Sequence, residues 1–545
     1  MSRVVSLSEA VAGIPDGALL TFGGFDLNRA PMALVRELVR QKKQGLRVVS
    51  PPNPLPLDLL VGAGSAVEAE FGYLGFQYEH GFVVAPNVRR AIETGALRWR
   101  ERDVFEIVQG LRAAATGVPF LPAPGGDESD YARVNPTPRM PLAPGSPPLP
   151  VVPAIRPDVA LVHAQQGDAD GNLFISDPYA DDLLARASRR LVATVEEIVP
   201  RVGQPGAIGV RAEALVLAPG GAFPTACHGR YRHAPAHLRS YFGQAGEGRF
   251  GDYLATLPGT GDGESAFIRE AGGLPRWDDG ASATSPRAVI DPDAAPGGTA
   301  PVAADRLVCG LARRIADGDL VVTGLASALP MLAVAVARAT HAPRLTYVNC
   351  VGAVDPEIET IGATSVDARL LDRCRGRVIL TDLFDLARNS RIDVMFFGAA
   401  QVDAASRLNL TCIGDFLRPR VKLPGPAGST SIRTFVRKVV VLVPRHSTRS
   451  LVERVDFASS TASLLNRETW VVSDLAVLRL DAGRLRTASV HAGVSADEVR
   501  ARTGFVLESS ATGTDPMTPE PTREERAALA RFDPGGLRHR LIRGG

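Results

Sequence analysis

Cysteine is scarce in this chain: five residues among 545 (Cys227, Cys309, Cys350, Cys374 and Cys412), an odd and widely spaced set with no Cys-x-x-Cys pair. That pattern excludes a disulfide framework and reads as a reduced, cytoplasmic protein. The opening "MSRVVSLSEAVAG" lacks the apolar core of a secretory leader. Charge of one sign is also missing in excess, because 61 basic and 59 acidic residues in mixed order leave a formal net charge of +2. No face for a nucleic-acid backbone or an anionic membrane is expected from that balance. The longest uncharged run, "LVVTGLASALPMLAVAVA" from Leu320 to Ala337, contains Gly324 and Pro330 and reads as a buried strand, loop and helix, not a membrane span. Familiar signatures are absent too. "FGGFDL" is not G-x-G-x-x-G, "GPAGSTS" at 425 to 431 lacks the lysine of a phosphate-cradling loop, and there is no H-E-x-x-H.

What the chain does have is length, apolar material and repetition. With 45% hydrophobic residues over 545 positions, it exceeds one compact core and calls for at least two α/β domains. Residues 14 to 38, "IPDGALLTFGGFDLNRAPMALVREL", are echoed by residues 315 to 337, "IADGDLVVTGLASALPMLAVAVA". Each has Ile-x-Asp-Gly, a short apolar strand, a Gly-bearing loop, and Pro-Met opening a helix, where proline gives up an amide that would be unpaired anyway. Ser6 and Glu9 are spaced as a capping box for the helix before the first copy. A second echo follows in the same order: "RPDVALVHAQQGDADGNL" at 156 to 173 and "RIDVMFFGAAQVDAASRLNL" at 391 to 410, with Asp158 and Asp168, and Asp393 and Asp403, both ten residues apart.

These repeats predict two homologous open, mostly parallel α/β domains, 1–274 and 305–545, with a flexible linker at 275–304 whose Pro, Gly, Ala and Asp content shows no periodicity. A second Pro-rich stretch at 122 to 153 lies inside the first domain and is expected to be either mobile or a cover over a site.

"CHGRYRHAPAH" gathers Cys227, His228, His233 and His237, but the spacing matches no common zinc pattern, so it reads as a polar loop entering the helix "AHLRSYF" and no metal is expected. In "KLPGPAGSTSI" at 422 to 432, Gly425 and Gly428 leave the main chain room to aim successive N–H groups at an anionic oxygen. Taken locally, a plain turn is the simpler reading.

"TFGGFDLNRAPMALVRELVRQ", "GLRAAATGVPFLP", "HAQQGDADGNL", "LVATVEEIVP" and "GGAFPTACHGRY" resemble the A subunit of the glutaconate CoA-transferase family, class I CoA transferases. "FFGAAQVD", "NLTCIGDFLRPRVKLPGPAGSTSI" and "ERVDFASS" resemble its B subunit. The resemblance covers nearly the whole chain outside the linker and implies a fusion of the two subunits, with the CoA-transferase fold and an acyl-CoA site between the halves. Coenzyme A is then part of the substrate and no bound cofactor is implied; by analogy with the family's assemblies, a homodimer is expected. The resemblance further implies that Gly425, Gly428 and Ser429 offer backbone donors to the thioester oxygen, although the family's Gly-Gly-Ala is here Ala427, Gly428 and Ser429. Gly23, Gly24 and Phe25 match the A-half loop, and Arg29 matches an arginine after that loop, read either as a bidentate partner for a second substrate carboxylate or as a surface arginine.

Transferases of this family carry a catalytic glutamate in the B half, and alignment from Ala342-Pro343 to Gly352 places Cys350 at that position. A thiol can capture an acyl group but has no carbonyl on which to hold CoA, so exchange of CoA between acids is disfavoured. A decarboxylating branch, acting on 3-methylglutaconyl-CoA with cysteine at this position, is similar and gives the leading expectation: loss of a distal carboxylate, with Cys350 filling space or returning a proton. The alternatives are a CoA transferase using Glu357 or Glu359, a ring-opening acyl-CoA hydrolase using Glu101, Asp103 or Glu106, and a non-enzymatic acyl-CoA sensor. For those last three acids a solvated helix face is the preferred reading, and Val104 stands where related sequences commonly have an acid.

Overall fold

The computed structural model describes residues 3–123, 125–141, 143–203, 207–257, 259, 263–278, 303–509 and 515–543. Most of the expected linker, 279–302, lies outside the described residues. Its first residues do not hang free: Trp277 Nε1 donates to Asp372 at 3.0 Å, and Arg232 N donates to Pro275 O at 3.1 Å.

Each half is built on five parallel strands in one order. In the first, Ala214–Leu217, Arg190–Ile198, Val159–Gly167, Leu19–Phe22 and Leu46–Ser50 lie side by side. In the second, the order is Glu468–Ser473, Lys438–Val443, Val394–Gly398, Leu320–Thr323 and Thr346–Asn349. The sequence echoes sit at matching points, and their aspartates make matching bonds. Leu19 N donates to Asp158 Oδ2 at 2.9 Å and Leu320 N to Asp393 Oδ2 at 2.8 Å. Asp168 Oδ1 accepts from the amides of Asp170 and Asn172, and Asp403 Oδ1 from those of Ala405 and Arg407. The first pair ties two strand starts together; the second closes a turn at a strand end, which is why the ten-residue spacing recurs.

The halves extend differently. The first adds parallel strands Ala66–Phe71 and Arg98–Glu101 beyond Leu46–Ser50. The second turns back after Thr346–Asn349 into antiparallel strands Ala353–Val354 and Gly376–Arg377. Ser6 and Glu9 form the expected capping box. The run from Leu320 to Ala337 is a strand, a loop and the helix Ala328–Ala339, with Pro330 inside the helix's first turn, where its missing amide breaks no bond. Among the described residues, no helix is long and apolar enough to cross a membrane.

One apolar core runs through both halves, including Phe105 and Val162 from the first and Cys350, Phe384 and Val439 from the second. Polar ties cross the same boundary. Arg112 grips Asp385 with two bonds of 2.8 Å, and Lys422 Nζ pairs with Glu101 at 2.8 Å with both side chains sealed from solvent. The Pro-rich stretch is another such tie, neither free nor a cover over the cavity described below. It carries strands Phe120–Pro122, Arg139–Met140 and Leu149–Pro153 and the helix Tyr131–Val134; Asp130 exchanges bonds with Ala458, and Tyr131 meets Thr411.

Candidate active site

The C-terminal ends of the central strands from both halves face one another around a cavity of about 350 Å³. The second half contributes Cys350, just past Thr346–Asn349, the loop Gly324–Ser327 after Leu320–Thr323, and the Gly-rich segment around Gly425 and Gly428; the first contributes Phe25, Tyr73 and Val104. None of the described lining residues is Lys, Arg, His, Asp or Glu. Cys350 is 6% exposed, and burial, followed by the nearness of Asp26, pushes its thiol well above the ordinary range. A cation or a histidine beside a cysteine favours the thiolate, and among the described residues none lines the cavity with this one.

The position of Cys350 is set by its neighbour. Asn349 is fully buried; its Oδ1 accepts from Val351 N at 2.9 Å, and its Nδ2 donates to Tyr347 Oη and to Ser365 O, each at 3.0 Å. This neutral network holds the strand end and adds no charge to the site.

The Gly-rich segment is gripped on both sides. Ala427 N donates to Gly72 O at 2.8 Å, Leu74 N to Pro424 O at 2.7 Å, and Val104 N to Ala427 O at 2.7 Å. Gly425 has φ +98°, and a Cβ there would lie 2.4 Å from Glu101 Oε1; on Gly428 one would lie 2.7 Å from Phe384 Cε1. Both positions therefore require glycine for close approach. The expected row of donors is shorter than the residue pattern suggested. Gly425 N is spent on Leu410 O and Ser429 N on Pro426 O, each at 2.8 Å, which leaves Gly428 N without a protein partner among the described residues. Ser429 contributes differently: its Oγ is buried in the cavity wall with no hydrogen bond. One free amide and a neighbouring hydroxyl thus stand where three backbone donors were expected.

Phe25 reaches the cavity, but Gly23 and Gly24 do not line it. They are small because the chain is crowded there: a Cβ on Gly23 would meet Asp181 Oδ1 at 2.1 Å, and one on Gly24 would meet Asn28 O at 2.4 Å. The role expected of Arg29 is corrected by its surroundings. It is 0% exposed, and all five of its N–H donors are engaged by Asp177, Asp181 and the carbonyl of His163, at 2.7 to 2.9 Å. No donor is left for a substrate carboxylate, so the guanidinium is a strut under the loop.

The reading of Glu101, Asp103 and Glu106 as a solvated face is also corrected. Glu101 is sealed against Lys422, and Asp103 caps the helix Val104–Ala115 by accepting from Phe105 N while taking Ser431 N and Oγ from the other half. Burial raises the Asp103 carboxyl to about 6 against those bonds. Glu106 pairs with Arg102 at 3.1 Å. None of the three lines the cavity, whereas Val104 does. Glu357 and Glu359 lie at the opposite end of the second sheet, in a cleft beside Pro343 and Leu345, paired with Arg373.

The residues tested as zinc ligands disperse: His228 bonds Ser176 and Asp372, His233 bonds Glu79, and His237 bonds Tyr253. Cys227 does approach His163 and Glu196, with ligand atoms within 4.8 Å of one another. There, however, His163 already bonds Glu196 at 2.7 Å and Thr194 at 2.9 Å. Two groups that the residue pattern did not bring out stand at this site, Tyr73 in the cavity wall and Asp26 behind it. Asp26 was legible only as the residue after the Gly-Gly-Phe loop, and Tyr73 lies in no motif.

The coenzyme A transferase family model matches residues 4–208 and again 310–502. The chain belongs to the coenzyme A transferase family. Its two-domain fold is that of the acyl-CoA transferase YdiF from Escherichia coli O157:H7, which at 15% identity covers 95% of both chains with a TM-score of 0.67. The A subunit of glutaconate CoA-transferase from Acidaminococcus fermentans is 30% identical over 269 residues, 44% of this chain and 82% of that protein. The B subunit of the same enzyme is 24% identical over 249 residues, 41% of this chain and 90% of that protein. A chain of the decarboxylase AibA/AibB is 44% identical, covering 44% of this chain and 98% of that one, with a TM-score of 0.42. Both matched segments lie in one polypeptide, so this acyl-CoA enzyme fuses what glutaconate CoA-transferase keeps as two subunits.

Proposed function

We propose that the chain decarboxylates the CoA thioester of a glutaconyl-like dicarboxylic acid in the cavity between its halves. The observation that carries this reading is the uncharged lining around Cys350. CoA exchange between acids needs a carboxylate nucleophile that forms an anhydride and then holds CoA, and no cavity-lining side chain supplies one. A substrate carboxylate in this cavity meets no cation, so its charge is poorly solvated there. Leaving as neutral CO2 moves that charge through the double bond to the thioester oxygen. The free Gly428 N–H and the unpaired Ser429 Oγ are the donors available for that oxygen, and they act where charge develops. Cys350 stays a neutral thiol that shapes the pocket.

The alternatives lose on position. Glu357 and Glu359 face another cleft, and no acid from 101–106 lines the cavity to activate water for a hydrolase. As part of the same proposal, residues 1–274 and 305–545 form the two functional domains, and the protein works as a cytoplasmic homodimer, which light scattering of the purified chain checks for oligomeric state.

The test is mass spectrometry of the products from 3-methylglutaconyl-CoA, with and without acetate. Loss of CO2 with CoA retained, independent of acetate, is the expected outcome. Acetyl-CoA formed only with acetate would reinstate the transferase, and free CoA in both samples would reinstate the hydrolase.

A further inference from the structure

Beside the thiol lie two more ionisable groups that the motifs did not single out, and the side chain of neither has a hydrogen-bonding partner among the described residues. Asp26 is 1% exposed, with φ +50° and its amide donating to Pro52 O at 2.7 Å. Its carboxyl makes no hydrogen bond, and Oδ1 is fully enclosed. Burial without a partner penalises the ionised form and raises this carboxyl's affinity for its proton well above the ordinary range. Tyr73 lines the cavity, 4% exposed, and its hydroxyl meets no protein donor or acceptor among the described residues. Its place is fixed from both sides: the bonds of Gly72 O and Leu74 N to the Gly-rich segment set Tyr73 across from Pro424–Ala427. Burial, then the nearness of Asp26 and Cys350, pushes its phenol well above the ordinary range.

Decarboxylation of a glutaconyl-type thioester leaves a dienolate that must gain a proton at its γ-carbon. This inference rests on the decarboxylase reading and names the groups that complete it. We propose that Tyr73 protonates the γ-carbon and that Asp26 returns the proton to Tyr73. As the bond between the γ-carbon and the carboxyl carbon breaks and CO2 departs, its electron pair passes to the thioester oxygen. The pair then returns to form the new C–H bond with the proton from Tyr73 Oη. Because the two side chains make no direct hydrogen bond, the phenolate takes a proton from the Asp26 carboxyl through one bridging water, and the Asp26 carboxylate takes one from water when product leaves. One solvent proton is consumed for each CO2 released. Tyr73 is the catalytic residue of the pair; Asp26 acts through it and is a positioning residue.

The reverse of the protonation step gives a readout that needs no CO2 chemistry. Wild-type protein in D2O, incubated with 3-methylbut-2-enoyl-CoA, is expected to place deuterium on the γ-carbons, read by mass spectrometry. Tyr73→Phe is expected to slow that exchange, and kcat for decarboxylation, by about 10²- to 10⁴-fold. Asp26→Asn is expected to slow both by about tenfold or more, with Asp26→Glu restoring part of the rate; both losses leave KM within about threefold, and unchanged circular dichroism and unfolding midpoint exclude a smaller folded fraction as their cause. Wild-type exchange rates in folded Tyr73→Phe or Asp26→Asn protein would overturn the proposal. So would absence of exchange in the wild type, which needs no variant to fold, or loss of exchange in Cys350→Ala alone. Exchange that depends on both residues without any release of CO2 would instead sink the decarboxylase reading and leave the proton pair standing.

Discussion

The two halves carry the same five strands in the same order, yet what lies beneath their strand ends differs. Under the Gly23–Phe25 loop of the first half is a sealed ion cluster, Arg29 with Asp177 and Asp181. Under Cys350 in the second half is a neutral network, with Thr323 Oγ1 and Tyr347 Oη 2.7 Å apart and Asn349 bridging to Ser365. A buried charge cluster is rigid and intolerant of losing a member, because each ion has given up its hydration and depends on its partners. A neutral network fixes geometry without imposing a field. On the proposed decarboxylase reading, the comparison gives a reason to place the substrate's leaving carboxylate against the second half, where it would find positioned main chain and no lining cation to hold its charge in place.

The largest expected effect comes from undoing that neutrality. Cys350→Glu places a carboxylate where the resemblance puts the family's nucleophile and is expected to lower the proposed decarboxylation by at least about a hundredfold while creating acetate-dependent acetyl-CoA formation, followed by product mass spectrometry. No gain of exchange in a folded variant would show that the position alone does not separate the two chemistries. Next, Arg29→Met should cost about 3–5 kcal/mol, because it strands two buried carboxylates, measured by chemical denaturation. Smaller is a pH effect at the seam between the halves. The Asp103 carboxyl, raised by burial to about 6 in the fold, binds its proton more tightly folded than unfolded. Its contribution to stability is full below the unfolded value of about 3.9 and is lost as pH rises through about 6, amounting to at most about 3 kcal/mol. The stability of Asp103→Asn relative to wild type should therefore shift in the variant's favour between pH 4 and pH 7; a flat difference would mean that the bonds from Ser431 outweigh burial. Smallest is Tyr347→Phe, which takes one hydroxyl from the neutral network and should cost about 1–2 kcal/mol. A loss equal to that of Arg29→Met would break the contrast between the two strand ends.

Much of this was legible in residue order. Apolar strands preceded by Asp-Gly turns, and two pairs of aspartates at equal spacing, announced a duplicated parallel α/β scaffold, because strand pairing and turn closure are local demands that repeat wherever the fold repeats. Cys350 at the end of its strand was likewise readable, since its place follows from the strand that carries it. Arg29, Glu101 and Asp103 were misread for one reason: a charged residue looks the same in sequence whether water or a buried partner satisfies it. The partners here lie across long separations, Asp181 for Arg29, Lys422 for Glu101 and Ser431 for Asp103. The donors of the Gly-rich segment were misassigned on similar grounds. A glycine pattern shows that the main chain can approach closely, but which amides remain free depends on carbonyls supplied elsewhere, Leu410 for Gly425 and the local Pro426 turn for Ser429. Sequence alone determined the scaffold and its duplication, because these depend on local periodicity, and it placed a cysteine where the resemblance implies a carboxylate. Only the tertiary structure decided which charges are buried ties, that the cavity is uncharged, and that Tyr73 and Asp26 stand beside the thiol, because burial and pairing are properties of the space between two folded halves.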